Sequence, residues 1–149
     1  MTTRRDPSLH ERVATRLASH DQRLTAGRAE LVEVLAASDR PLTIPEILKR
    51  RRGLAQSSAY RNLVVLEEAG VVHRVVTHDE FTRYELADDL TGHHHHHLVC
   101  ATCGRVEDLP ATAALEKSLE AAVALAVRTS GFRIDHHRLD LVGICDRCA

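Results

Sequence analysis

Tryptophan is absent from this 149-residue chain, which carries only two Phe, two Tyr and one Met. Its core must therefore be aliphatic. No uninterrupted apolar run is long enough to span a bilayer, and the chain opens Met-Thr-Thr-Arg-Arg-Asp, not on an apolar signal segment. A cytoplasmic protein without a membrane partner is expected. Net charge is also nearly absent, at -1, but this value conceals a split. Up to Leu86 there are 14 Lys and Arg against 12 Asp and Glu, whereas from Ala87 onward there are 6 against 9. Between Arg40 and Arg61 the bases Arg40, Lys49, Arg50, Arg51, Arg52 and Arg61 meet a single acid, Glu46, a concentration that suggests phosphate contact.

Cysteine is scarce too, and its placement is informative. The four cysteines form two CxxC pairs, Cys100/Cys103 and Cys145/Cys148. In a reducing compartment disulfides are disfavoured, and a redox CxxC comes singly beside a βαβ pattern. Two tight turns can instead supply four thiolates to one tetrahedral zinc, leaving no position for water, so the expected ion is structural. Forty-one residues separate the pairs, too many for a single zinc finger, and the site reads as a clamp that closes a small domain. Just ahead of the first pair, His93 to His97 form an uninterrupted run of borderline nitrogen ligands. Imidazoles suit a site whose metal comes and goes.

Helix signals dominate the first half. Ser8 opens one helical pattern that fades near Ser19, and Thr25 caps a second that ends at Ser38-Asp39-Arg40-Pro41. Thr43-Ile44-Pro45-Glu46 is a capping box with proline in the first turn. Ser57 or Ser58 is expected to cap a fourth helix running to Gly70. Residues 71–76 and 82–86 then read as two strands joined by a polar turn over 77–81. This is the order of a winged helix-turn-helix, in which the fourth helix enters the major groove. After a short polar hinge, a strand over 105–109, a helix from Thr112 to Ser130 and an alternating stretch from Phe132 to Ile144 predict a small α+β unit.

Ser57-Ser58-Ala59-Tyr60-Arg61-Asn62-Leu63, Tyr84-Glu85-Leu86, the histidine run followed by Leu98-Val99-Cys100-Ala101-Thr102-Cys103-Gly104, and Gly143-Ile144-Cys145-Asp146-Arg147-Cys148 together resemble the ferric uptake regulator family over nearly the whole chain. The resemblance implies a homodimeric bacterial repressor of α+β class that binds double-stranded operator DNA. Residues 1–86 would form the winged-helix DNA-binding domain, 87–97 the hinge with its His-rich metal segment, and 98–149 the dimerisation domain closed by the four-cysteine zinc site. It implies a regulatory divalent metal held at the hinge by His73, Glu85, His95 and His97. A further site would use His94, His96 and His137, with either Glu116 or Glu120 as its carboxylate. Pro41 stands where iron-sensing members often carry a histidine, and His73 where zinc-sensing ones often carry a ligand, which favours zinc as effector over iron or manganese. Ala87 stands where zinc-sensing relatives often add a cysteine.

On the DNA, Ser57, Ser58 and Tyr60 are candidates for base or sugar contacts, and Arg28, Arg50, Arg51, Arg52 and Arg61 for phosphate contacts. A metallohydrolase is the rival from another class, but no HExxH occurs and no carboxylate adjoins the histidines as a general base. A zinc buffer would need the histidines without the helix-turn-helix.

Overall fold

The computed structural model describes residues 7–77 and 79–149, which form two compact units, one ending at His93 and one spanning His94–Ala149. In the first unit, helix α1 (Leu9–Ala18) starts at a capping box. Ser8 Oγ accepts from the Glu11 N–H, and Glu11 Oε2 accepts from the Ser8 N–H at 2.6 Å. Val13 and Leu17, four apart, form its buried stripe. Helix α2 (Ala26–Ala36), capped by Thr25, buries Leu31, Val32, Val34 and Leu35. Strand β1 (Leu42–Thr43) leads directly into α3 (Ile44–Arg50), whose capping box joins Thr43 and Glu46. Helix α4 (Gln56–Glu68) buries Ala59, Leu63 and Leu66, and Gly70 leaves it in the left-handed region at φ 69°. Full burial of Leu17, Leu31, Leu63 and Leu66 contributes about 1.5–3 kcal/mol each.

The wing follows. Strands β2 (Val72–Val75) and β3 (Arg83–Leu86) pair antiparallel, and β1 adds to β3 on the far side, giving the order β1-β3-β2. The turn expected over 77–81 includes His78, which lies outside the described residues, as do residues 1–6.

Two expectations for this unit are corrected. Neither Ser57 nor Ser58 caps α4. The helix begins at Gln56 after Ala55, which makes no side-chain cap bond, and both serines fall inside the first turn. The segment expected as a polar hinge contains the short helix α5 (Asp88–Thr91), and Ala87 and Leu90 are buried in the first unit's core. Two apolar side chains outweigh the acidic Asp88 and Asp89, of which the first is half-buried and the second exposed.

In the second unit, strand β4 (His95–Cys100) is central. Strand β5 (Val106–Pro110) pairs with it antiparallel and β6 (Asp140–Gly143) pairs with it parallel. The histidine run, expected as hinge, thus enters a sheet from His95 onward, and of the alternating stretch 132–144 only Asp140–Gly143 is strand. Helix α6 (Ala113–Ser130) is capped by Thr112 and ends at Gly131 with φ 71°. Eighteen residues long, it buries none of them within the chain. Leu125, Phe132, Leu141, Val142 and Ile144 are likewise exposed, and an open groove of about 390 Å³ runs between Leu98, Leu141 and Ile144. Among the described residues no helix is long and apolar enough to cross a membrane.

Candidate metal centres

Cys100 ends β4, and Gly104 turns the chain back with φ 69°, donating its N–H to the Cys100 carbonyl at 3.0 Å. A side chain in that left-handed position would be strained, so the turn needs glycine. The second pair closes in a similar way, with the Cys148 N–H on the Cys145 carbonyl at 2.9 Å. The backbone N–H of Cys145 also points at Cys100 Sγ, 3.4 Å away. All four Sγ atoms lie within 4.8 Å of one another, and Cys103 and Cys145 approach to 3.7 Å. A tetrahedron with Zn–S bonds of about 2.3 Å has edges of about 3.8 Å, so the set fits one zinc ion. Electrostatics agree. Backbone N–H donors at Cys103 and Cys145 draw the Cys100 thiol down to about 6, whereas sulfur neighbours Cys145 and Cys103 push Cys148 up to about 12. Four thiolates cannot all ionise this close together without a cation among them.

A second group gathers on the α6 side of β4. Strand side chains alternate between faces, so His94 and His96 project one way and His95 and His97 the other. His96 is 1% exposed, and its Nε2 lies 2.7 Å from Glu116 Oε1. His94 Nε2 and His137 Nε2 lie 3.4 and 3.3 Å from Glu116 Oε2 and 3.1 Å from each other. These separations match the edges of a polyhedron with bonds of about 2.0–2.1 Å. A bond to His96, reinforced by the fields of His94 and His137, holds the Glu116 carboxyl below its ordinary range. Of the two candidate carboxylates, Glu116 joins the group, while Glu120, one turn on, is exposed and stands outside it.

On the opposite face, the rings of His95 and His97 are 5.2 Å apart and perpendicular. Asp108, the register partner of His97 on β5, places Oδ1 4.0 Å from His95 Nε2, and Asp140 on β6 places Oδ1 3.0 Å from His97 Nδ1. In the first unit His73 and Glu85 are direct partners across β2 and β3. Asp108 and Asp140 are the residues that sequence reasoning missed. Only the strand register brings them beside the histidines.

Comparison with known proteins places the chain in a family. Residues 19–142 match the ferric uptake regulator family. The chain is a member of that family. It is 32% identical over 143 residues to the ferric uptake regulation protein of Bacillus subtilis (strain 168), covering 93% of each chain. Identity to the peroxide operon regulator of the same organism is 29% over 131 residues, covering 85% of this chain and 84% of that one. Among solved structures, the Helicobacter pylori ferric uptake regulator Fur, described as having three functional metal binding sites, matches with TM-score 0.71 at 24% identity, over 94% of this chain and 91% of that one. At that identity the likeness speaks for the fold. A zinc-bound manganese uptake regulator matches with TM-score 0.60 at 26% identity, over 93% and 99%. The ferric uptake regulators are metal-responsive transcriptional regulators, so a chain with several imidazole, carboxylate and thiolate groups is at home among them.

The basic side chains of this family member divide into engaged and exposed. Arg28 donates through Nε to Asn62 Oδ1 at 3.3 Å and through Nη1 to the Arg23 carbonyl at 2.6 Å, tying α2 to α4. A Cβ at Gly27 would sit 3.2 Å from Asn62 Nδ2, close enough that the amide would have to shift by a few tenths of an ångström. Arg51 pairs with Glu33 at 2.6 Å. Arg50, Arg52 and Arg61 are exposed, as are Ser57 and Tyr60, while Ser58 is half-buried.

Proposed function

We propose that this chain is a cytoplasmic, homodimeric repressor that binds palindromic double-stranded operator DNA when a divalent metal occupies a site made by His73, Glu85, His95 and His97. Zinc is the favoured effector, and metal uptake and homeostasis genes are its targets. The observation that carries this reading is the distribution of donors over two units. His73 faces Glu85 across the wing strands of the first, and His95 and His97 share one face of the strand that opens the second. One cation bonded to all four fixes the angle between the units and, in a dimer, the spacing of the two α4 helices.

The dimer reading is supported by α6 and β6, whose apolar side chains lack cover within one chain. Binding of DNA is supported by the exposed Ser57, Tyr60 and Arg61 of α4 and by Arg50 and Arg52. The first N–H groups of α4 have no side-chain cap, which suits phosphate at that end. Because imidazoles bind metal only when deprotonated, acid weakens the response. By linkage, operator DNA tightens metal binding by the factor by which metal tightens DNA binding.

Three imidazoles with one carboxylate suit zinc. The oxygen of Asp108 beside His95 is the observation that favours iron or manganese instead. Anisotropy of a fluorescent palindromic duplex, titrated with protein under Zn, Fe(II), Mn or chelator, decides among them. Zinc-dependent binding is expected, and His95→Ala with His97→Ala should abolish it while the zinc of the four cysteines stays bound. Duplex binding indifferent to metal and chelator refutes the proposal.

A further inference from the structure

We infer that Asp140 is a positioning residue for metal sensing: its carboxylate fixes the tautomer and ring orientation of His97, so that Nε2 is the atom offered to a cation. The inference rests on the reading of His97 as a sensing ligand. Asp140 opens β6 directly beside His97 on β4 in the parallel register, so the two side chains leave the sheet as neighbours on the same face. Oδ1 of Asp140 lies 3.0 Å from Nδ1 of His97, a residue 5% exposed. An ionised carboxylate can only accept, so Nδ1 must carry the hydrogen, and in a neutral imidazole the lone pair then resides on Nε2.

The other carboxylates along β4 act differently. Glu116 meets the Nε2 atoms of His94, His96 and His137, the atoms that would bind an ion there. Asp108 faces His95 through Nε2. Asp140 instead meets an Nδ1, the far side of the ring, and it stands outside the groups of converging ligand atoms. Its carboxylate therefore makes Nε2 a stronger donor and holds the ring against rotation. Partners of this kind are worth about 10–100-fold in metal affinity.

The test uses full-length protein carrying the zinc of its four cysteines, in a Glu116→Gln background so that the neighbouring histidine group does not compete. Zinc affinity is measured against a chromophoric chelator, and the His97 tautomer is read from long-range 15N–1H spectra before sensing metal is added. Asp140→Asn is expected to weaken zinc about 10–100-fold and to populate both tautomers, while one zinc per chain is retained. Asp140→Glu, which keeps the charge, should recover most of the affinity. Unchanged affinity and a single unchanged tautomer in Asp140→Asn overturn the inference. His97→Ala separates the two levels. If it leaves zinc binding intact, the ligand reading itself fails; if it removes binding while Asp140→Asn behaves as wild type, only the positioning role fails.

Discussion

Glu46 joins two devices at the start of α3. Its Oε2 accepts from the Thr43 N–H at 2.8 Å, and its Oε1 accepts from Arg40 Nη2 at 2.7 Å. Burial pushes the carboxyl pKa up, but the bonds from Arg40 and Thr43 outweigh it and hold the group at about 2, against an ordinary 4.5. Taken at face value, that depression amounts to about 3.4 kcal/mol of stability at neutral pH. The side chain is 33% exposed, and solvent screening reduces the figure to about 1–2 kcal/mol. The sign follows from the direction of the shift. A depressed carboxyl stabilises the folded state fully above pH 4.5, and the contribution is lost as pH falls toward 2. By pH 3 about 60% of it has gone. Urea unfolding of the chain in excess chelator at both pH values, followed by far-UV circular dichroism, should show Glu46→Ala costing about 1–2 kcal/mol at pH 7 and less than half of that at pH 3. Glu46→Gln retains an acceptor for Thr43 and should cost less. A Glu46→Ala penalty that stays constant between pH 7 and pH 3 would refute the argument, because an uncharged packing defect does not titrate.

Two further outcomes are expected. Glu116→Gln should remove the zinc equivalent bound by the His94, His96 and His137 group in a stoichiometric titration, whereas Glu120→Gln should leave it in place. Arg105 donates to Asp146 at 2.8 Å and also pairs with Glu107, bridging the two CxxC turns. Arg105→Gln should speed zinc release to a chelator by up to about fivefold, the ceiling for a largely exposed ion pair.

Much of the first unit was legible because its signals are local. The helix start at Ser8 and the capping box of Thr43 with Glu46 stand where short-range rules put them. The start of α4 was not legible, because Ala55 supplies no capping oxygen while two serines lie just inside the helix. Strand β1 has two residues, too few for any periodicity, and its pairing with Arg83 and Tyr84 is a tertiary event. A run of identical histidines has no alternation to read, so β4 was hidden in the segment richest in chemistry. Both cysteine pairs were visible from spacing, and the histidines from sheer number. Asp108 and Asp140 were not, since each reaches its histidine only through the strand register. Arg28 and Arg51, expected as phosphate contacts, also make bonds within the chain that no local pattern announces, with Asn62 and Glu33 respectively.

The five-histidine tract also governs how the chain tolerates changes in its own length. In an ordinary strand, losing one residue exchanges the two faces and scrambles whatever they hold. Counted back from Cys100, deletion of one histidine still leaves imidazoles at the four places now filled by His94 to His97, and only the outermost, exposed His93 is forfeited. Gaining one merely lengthens the approach. A homopolymer of ligands therefore gives this strand a spare, so that slippage within the repeat leaves the pattern of nitrogen donors unaltered.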